Sequence, residues 1–200
     1  MKNYTIRILV SFFIVFFQFG VIYSKAENQS FKINLEEARK AYINQEYTSA
    51  ITIWSKIINS NAPKEVIEDA LMNRAKVYLM LSQPGLALID IDNVRDFSSK
   101  YKFEKRLLRG VVYIQLKKYK LALYEFDEAQ RIDPSQASVY SNRHVANKGL
   151  GRIKNAKNDL KIAIKMEPSL SNYYNLAVLE RVSGQEKKCI SLLTSILEKS

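Results

Sequence analysis

A small residue followed one helical turn later by a bulky apolar residue occurs five times in this chain. The five pairs are Ala50 and Trp54, Ala87 and Ile91, Ala122 and Phe126, Ala156 and Leu160, and Cys189 and Leu193. The nearly constant interval between their small members falls within the range of known repeat families, which indicates an internal repeat. A helical hairpin of this length cannot bury its apolar face alone, so each repeat must stack on its neighbours.

The repeat is clearest between residues 103 and 136, where its small and apolar residues follow the three-and-four spacing of one helical face. These residues are Gly110, Tyr113, Tyr119, Ala122, Phe126, Ala129 and Pro134. A break at Lys117 and Lys118 separates two apolar stripes and predicts two antiparallel helices. Gly110 costs a helix about 1 kcal/mol relative to alanine, so we expect the second helix to approach it closely. Pro134 ends that second helix because it has no N–H to donate.

The following repeat keeps this order and turns at residues 149–151; its matching residues are Tyr140, Ala156, Leu160, Ala163 and Pro168. Paired helices with an early Gly or Ala, a Tyr in mid-helix, Ala-x-x-x-Phe and a closing Pro resemble the tetratricopeptide repeat family. The resemblance assigns repeats at about 31–64, 68–101, 103–136, 137–169 and 170–200, of which the first, second and fifth match more loosely. It implies an all-α fold, a right-handed α-solenoid of stacked antiparallel helix pairs.

The same resemblance implies a concave groove, lined by the first helix of each repeat, that receives a peptide or helix of a partner protein. The positions carried over are Leu35, Arg39, Tyr42, Met72, Lys76, Leu79, Met80, Leu107, Val111, Ile114, Val145, Lys148, Tyr174, Val178 and Arg181. An apolar centre with a basic rim suits an amphipathic segment with acidic flanks. Alternatively, some of these residues pack between neighbouring first helices. The family's clamp for a C-terminal carboxylate is excluded, since Leu107 and Leu108 stand where it needs cations.

The first 26 residues differ from the rest and resemble a secretory signal peptide. Lys2 and Arg7 precede an apolar run at 8–21, and 24–26 offer small residues at the spacing of a cleavage site. The run is shorter than the ~20 residues of a spanning helix, which favours removal and makes Glu27 the first mature residue. The alternative is an uncleaved anchor in the inner membrane, with the repeats on the translocated side. Both interpretations predict an exported protein, in the periplasm or secreted.

The chain is basic, with 31 Lys and Arg residues against 20 Asp and Glu residues. Without the first 26 residues 28 basic residues remain, which gives a net charge of +8. Such a surplus favours acidic partners, anionic lipid or polyanionic envelope material through an attraction that salt weakens. The alternative is a solvated surface with a cationic bias. The lysines are spread over most helices without a concentrated patch of stacking aromatics, so we expect no nucleic-acid partner.

The sequence contains no recognisable catalytic, cofactor-binding or metal site. It has one histidine, no glycine-rich phosphate loop and no Gly-x-Ser-x-Gly elbow. His144 lacks the neighbours of a metal site and is interpreted as a packing or interface residue. Cys189 stands where other repeats carry alanine and is interpreted as a small packed thiol. Two acidic pairs are interpreted as solvated helix faces: Asp90 with Asp92, and Asp127 with Glu128.

We therefore expect a non-enzymatic adaptor that is exported and binds a segment of another protein in the groove. The alternative is an assembly or oligomerisation factor for an envelope, secretion or pilus complex, acting through the last helix. No polar capping helix follows that helix in the sequence. We expect Ile190, Leu193 or Leu197 to be partly exposed for this reason.

Overall fold

The computed structural model describes residues 30–95 and 101–197, and for 195–197 it describes the backbone alone. The segment interpreted as a signal peptide lies outside the described residues. Within the described ranges the chain forms helices and no strand. The helices are α1 (30–43), α2 (Tyr47–Ile58), α3 (Lys64–Met80), α4 (Pro84–Asn93), α5 (Lys102–Gln115), α6 (Tyr119–Ile132), α7 (Ala137–Gly149), α8 (Ile153–Met166), α9 (Leu170–Val182) and α10 (Glu186–Leu197).

A residue with a left-handed backbone stands in the turn between the two helices of every repeat. These residues are Gln45 (φ 64°), Ser82 (φ 56°), Lys117 (φ 56°), Gly151 (φ 71°) and Gly184 (φ 73°). They recur at the same intervals as the small residues of the second helices. In each turn the next N–H donates to the carbonyl five residues earlier, as Arg152 does to Asn147 at 2.8 Å. The repeat period therefore also fixes how each first helix ends.

Replacing Gly151 with alanine is expected to destabilise the protein by about 1 kcal/mol, because a Cβ is strained at this left-handed φ. Gly85 in α4 is the matched control, since a Cβ at either glycine would meet no atom within 4 Å and only Gly151 is left-handed. Alanine at Gly85 should be neutral or stabilising. Urea unfolding of the two variants tests this, and equal effects would contradict the backbone explanation.

The described helices pack into two compact bodies. The N-terminal body ends at Val77 and the C-terminal body begins at Tyr78, so the boundary falls within α3. The core of the N-terminal body surrounds Trp54, which is only 1% exposed, and includes Ala38 and Ala50. The small alanines allow close packing of the helix backbones, and the indole fills the remaining volume.

The C-terminal body is a stack in which each helix packs on the next one along the chain. Within repeats, α5 packs on α6, α7 on α8 and α9 on α10. Between repeats, α4, α6 and α8 each contact the first helix of the following repeat, and α5 contacts α7. We call α4, α6, α8 and α10 the second-helix side of this body.

Gly110 in α5 lies directly against the ring of Phe126 in α6. A Cβ placed on Gly110 would lie 2.4 Å from Cε1 of Phe126, whose side chain is fully buried. The predicted close approach is therefore confirmed, and the closest group is an aromatic ring. Tyr119 lies over Gly149 in the same way, at 2.6 Å from such a Cβ. Glycine at these two positions leaves room for a ring, which offsets its cost to the helix.

Candidate partner-binding surface

Two of the predicted groove residues in the N-terminal body are buried and present no surface to a partner. Leu35 is 6% and Met72 is 1% exposed, and Leu35 belongs to the core around Trp54. For these two residues the structure corrects the groove assignment to core packing, because their apolar side chains are already removed from water. The other predicted residues of this body are half-buried: Arg39, Tyr42 and Lys76.

Four predicted groove residues of the C-terminal body are wholly or partly used in packing. Leu79 is 7% exposed, so its groove assignment is also corrected to core packing. Leu107, Val111 and Ile114 of α5 are half-buried and pack against the cluster around Phe126. Their apolar side chains therefore contribute to a core that also contains residues of the next first helix, α7, in line with the alternative of packing between first helices.

The remaining predicted residues of this body offer more surface. Tyr174, Val178 and Arg181 lie on one face of α9, because they are four and then three residues apart. Tyr174 is 58% exposed, Arg181 is exposed and Val178 is half-buried. On α7, Val145 is half-buried and Lys148 is exposed. Met80 at the end of α3 is also exposed. An exposed aromatic beside a cation on α9 is the strongest candidate contact among the predicted residues.

Arginines spaced by the repeat period form ion pairs that the repeat pattern did not predict. Arg109 contacts Asp92 of α4 at 2.5 Å and Glu125 of α6 at 3.9 Å. One repeat later, Arg143 contacts Asp127 of α6 at 2.8 Å and Asp159 of α8 at 2.7 Å. Each guanidinium thus joins the second helices of two consecutive repeats.

The N-terminal body contains a related contact. Arg74 holds the repeat position of Arg109, one repeat earlier, and donates to the hydroxyl of Ser55 at 2.7 Å. Ser55 in turn holds the position that Asp92 and Asp127 occupy in the next two repeats. The recurrence of arginine at the repeat period is visible in the sequence. The acids and hydroxyl that these arginines contact lie on other helices, so the sequence does not show the pairs themselves.

The interpretation of Asp90 as part of a solvated face is wrong. Asp90 is 2% exposed and holds the repeat position of Glu125 and Asp159, which are also buried. Glu125 accepts a hydrogen bond from Arg106 at 2.9 Å, and Asp159 accepts from Asn147 at 2.7 Å. A polar partner on the first helix allows a carboxylate at this position to be buried. Helical periodicity alone does not reveal such partners.

His144 is a packing residue, as one of the two sequence interpretations holds. Its side chain is buried, and Nδ1 lies 2.5 Å from the carbonyl oxygen of Ser141. Burial lowers the pKa of the imidazole below its usual value, so the ring is neutral at pH 7. Among the described residues no cluster of His, Cys, Asp and Glu is placed to hold a metal ion. The helices described here are also too short or too polar to cross a bilayer.

Helix α10 exposes apolar side chains, as expected. Ile190 is 63% and Leu193 is 39% exposed, while the side chain of Leu197 lies outside the description. Cys189 is buried at the repeat position of alanine, which confirms it as a packed thiol. An assembly role for this helix stays a prediction.

Sequence comparison finds relatives among proteins that contain tetratricopeptide repeats, although no protein-family model matches the chain. The chain is 27% identical over 157 residues to the human mitochondrial import receptor subunit TOM70, covering 76% of this chain and 24% of that protein. It is 27% identical over 104 residues to the small glutamine-rich tetratricopeptide repeat-containing protein 2 of Saccharomyces cerevisiae, covering 52% of this chain and 30% of that protein. The chain thus spans less than a third of either relative.

Solved structures agree with the helical arrangement over most of the chain. A thermophilic TPR protein of Thermus thermophilus superposes with a TM-score of 0.71 at 20% identity, covering 85% of this chain and 91% of that one. MamA of Desulfovibrio magneticus superposes with a TM-score of 0.66 at 16% identity, covering 84% and 93%. The chain therefore has the all-α fold of tetratricopeptide repeat proteins, built of paired helices, which confirms the fold class that the resemblance implies.

Proposed function

We propose that the chain is a non-enzymatic interaction module that binds a segment of another protein through the exposed side chains of its first helices. The observation that carries the proposal is the face of α9 formed by Tyr174, Val178 and Arg181. A large exposed aromatic flanked by a cation is the composition that dominates binding energy in protein interfaces. On α7 the exposed Lys148 supplies a further cation. Similarity to a receptor subunit and to a repeat-containing protein supports a role in binding proteins.

The partner segment should carry apolar anchors and acidic side chains. An apolar anchor would pack on Tyr174 and Val178, and a carboxylate would pair with Arg181 in a charge-assisted bond. Leu107, Val111 and Ile114 are half-buried against the core, so they contribute little contact area to a partner. The contact surface is therefore narrower than the full set of groove positions.

A photoreactive amino acid at position 174, introduced into the native host, tests the surface directly. We expect a specific protein adduct at Tyr174 and none at Glu167, an exposed residue before α9 that serves as the matched control. With the crosslinked protein in hand, Tyr174→Ala combined with Arg181→Ala should weaken binding by about thirtyfold, as expected for loss of a central anchor. Equal crosslinking at both positions, or unchanged affinity of the double variant, would refute the proposed surface.

Export of the repeats is part of the proposal and rests on residues 1–26 alone. A basic start, a short apolar run and a small-residue site favour removal of this segment. Mass spectrometry of the native protein should then find Glu27 as the first residue. A native chain that begins at Met1 and fractionates with membranes would support the anchored alternative, and one that begins at Met1 in the cytoplasm would contradict export.

A further inference from the structure

Two surfaces on the second-helix side of the C-terminal body are built in the same way. In each, an arginine from a first helix pairs with acids on two second helices, but the exposed side chains around it differ. The first, for which we use the name apolar cleft, is the exposed surface of α4 and α6, two helices that Arg109 of α5 joins. The second, which we call the cationic cleft, lies between α6 and α8, which Arg143 joins from α7. The cationic cleft has a volume of about 580 Å³. It is large enough to admit several side chains of a partner.

The cationic cleft holds more positive charge than its own acids neutralise. Its five cations face two carboxylates, Asp127 and Asp159, and both carboxylates are taken up by Arg143. Lys157 pairs with Glu180 at 2.8 Å. Of the remaining three cations, Lys154 and Lys161 lie on the wall formed by α8.

Arg152, Lys154 and Lys161 make no ion pair and no hydrogen bond among the described side chains. The amides of Asn155 and Asn158 stand on the same wall, exposed and likewise without a bonded partner in this part of the chain. Unpaired cations beside free amide donors in one cavity match a ligand that carries several carboxylates. The cleft is thus built to receive acidic side chains.

The apolar cleft has an aliphatic and an aromatic side chain at the positions of the two asparagines, while the positions of Arg152 and Lys154 keep a lysine. Leu121 and Tyr124 hold in α6 the places that Asn155 and Asn158 hold in α8, one repeat later. They are 46% and 56% exposed. On α4, one repeat earlier, Leu86 and Ile89 are 46% and 58% exposed. These large apolar side chains, exposed at matching positions of two second helices that Arg109 joins, indicate a contact surface rather than scattered surface residues.

We propose that these two clefts together bind an acidic segment of a partner protein, with carboxylates in the cationic cleft and an apolar anchor on Leu121 and Tyr124. Neighbouring helices lie about 10 Å apart, a distance that a few residues of a peptide span. An anionic bilayer fits less well, since Asp92 of the apolar cleft and Asp127 of the cationic cleft are about half exposed and would face its head groups. This surface lies on second helices, whereas the face of α9 in the proposed function lies on a first helix. The two proposals therefore concern different binding sites and can fail separately.

The test uses a fluorescein-labelled peptide of two leucines followed by six glutamates and the full chain, with anisotropy as the measurement at about 150 mM salt. Lys154→Gln combined with Lys161→Gln should weaken binding about tenfold, as two charge pairs lost at a partly exposed site. Lys40→Gln combined with Lys56→Gln removes the same charge from exposed positions of the N-terminal body and is the matched control, with less than about a twofold effect. Equal weakening by both pairs would overturn the proposal, because attraction would then depend on net charge alone.

Two further measurements complete the test. One separates the contribution of the apolar cleft from that of the cationic cleft, and the other distinguishes a peptide ligand from a lipid surface. Hexaglutamate without leucines should bind about fivefold more weakly than the full peptide, and Leu121→Ser combined with Tyr124→Ser should remove this difference. The chain and its Lys154→Gln, Lys161→Gln variant should co-sediment to the same extent with vesicles of three parts phosphatidylcholine to one part phosphatidylglycerol. Vesicle binding that needs these lysines, together with absent peptide binding, would overturn the proposal in favour of a lipid surface. Circular dichroism checks that each variant keeps its helices.

Discussion

Replacing Gly110 with valine is expected to destabilise the protein by about 3 kcal/mol, one of the largest effects of a single substitution in this chain. A Cβ at this position would lie 2.4 Å from Cε1 of Phe126 and 2.7 Å from two further ring atoms. The ring is fully buried between α5 and α6, so it has no free space into which it can move. Urea unfolding measures the change, and the helix preference of valine over glycine offsets only a few tenths of a kcal/mol.

A second substitution in the ring itself distinguishes overpacking from other causes. Gly110→Val combined with Phe126→Leu should be more stable than the sum of the two single effects predicts, because the smaller side chain leaves room for the new methyl groups. Gly85→Val is the control, since a Cβ there meets no atom within 4 Å. Strict additivity of the two substitutions at Gly110 and Phe126 would show that the close approach is not what requires glycine.

Replacing Arg143 with methionine is expected to destabilise the C-terminal body by about 3 kcal/mol, because a buried carboxylate loses its cation. The carboxylate is that of Asp159, whose side chain is 3% exposed. The substitution also removes the contact with Asp127 at 2.8 Å, which joins α6 to the same arginine. Arg131→Met is the control, because Arg131 is 73% exposed in its pair with Glu128 and should contribute less than about 0.5 kcal/mol.

Removing the stranded charge should restore much of the lost stability. Arg143→Met combined with Asp159→Asn should be more stable than Arg143→Met alone, since an amide costs far less to bury than a carboxylate. Thermal unfolding of the single and double variants compares their stabilities directly. If Arg143→Met were as mild as Arg131→Met, the arginine would be a surface contact and not a link between consecutive repeats.

Local features of the fold could be predicted from the sequence because they depend on residues close together in the chain. The spacing of Ala122, Phe126 and Ala129 marks one face of a helix, and its recurrence marks the repeats. Gly110 inside an apolar stripe indicated the close approach that the structure contains. The place of Cys189 in the period likewise indicated a packed thiol, which is buried as expected.

The tertiary structure decided which apolar and charged residues remain available to a partner. Leu35, Met72 and Leu79 have the same helical spacing as exposed groove residues, but they are buried in the structure. A first helix in a stack has apolar neighbours on more than one side. Its periodicity therefore shows on which face of the helix a side chain lies, but not whether another helix packs over that face. The pairing of Arg109 and Arg143 with acids on flanking helices depends on contacts between repeats, which no spacing within one helix encodes. The sequence thus determined the helices and their period, while exposure, ion pairs and the two clefts arose only when the repeats were stacked.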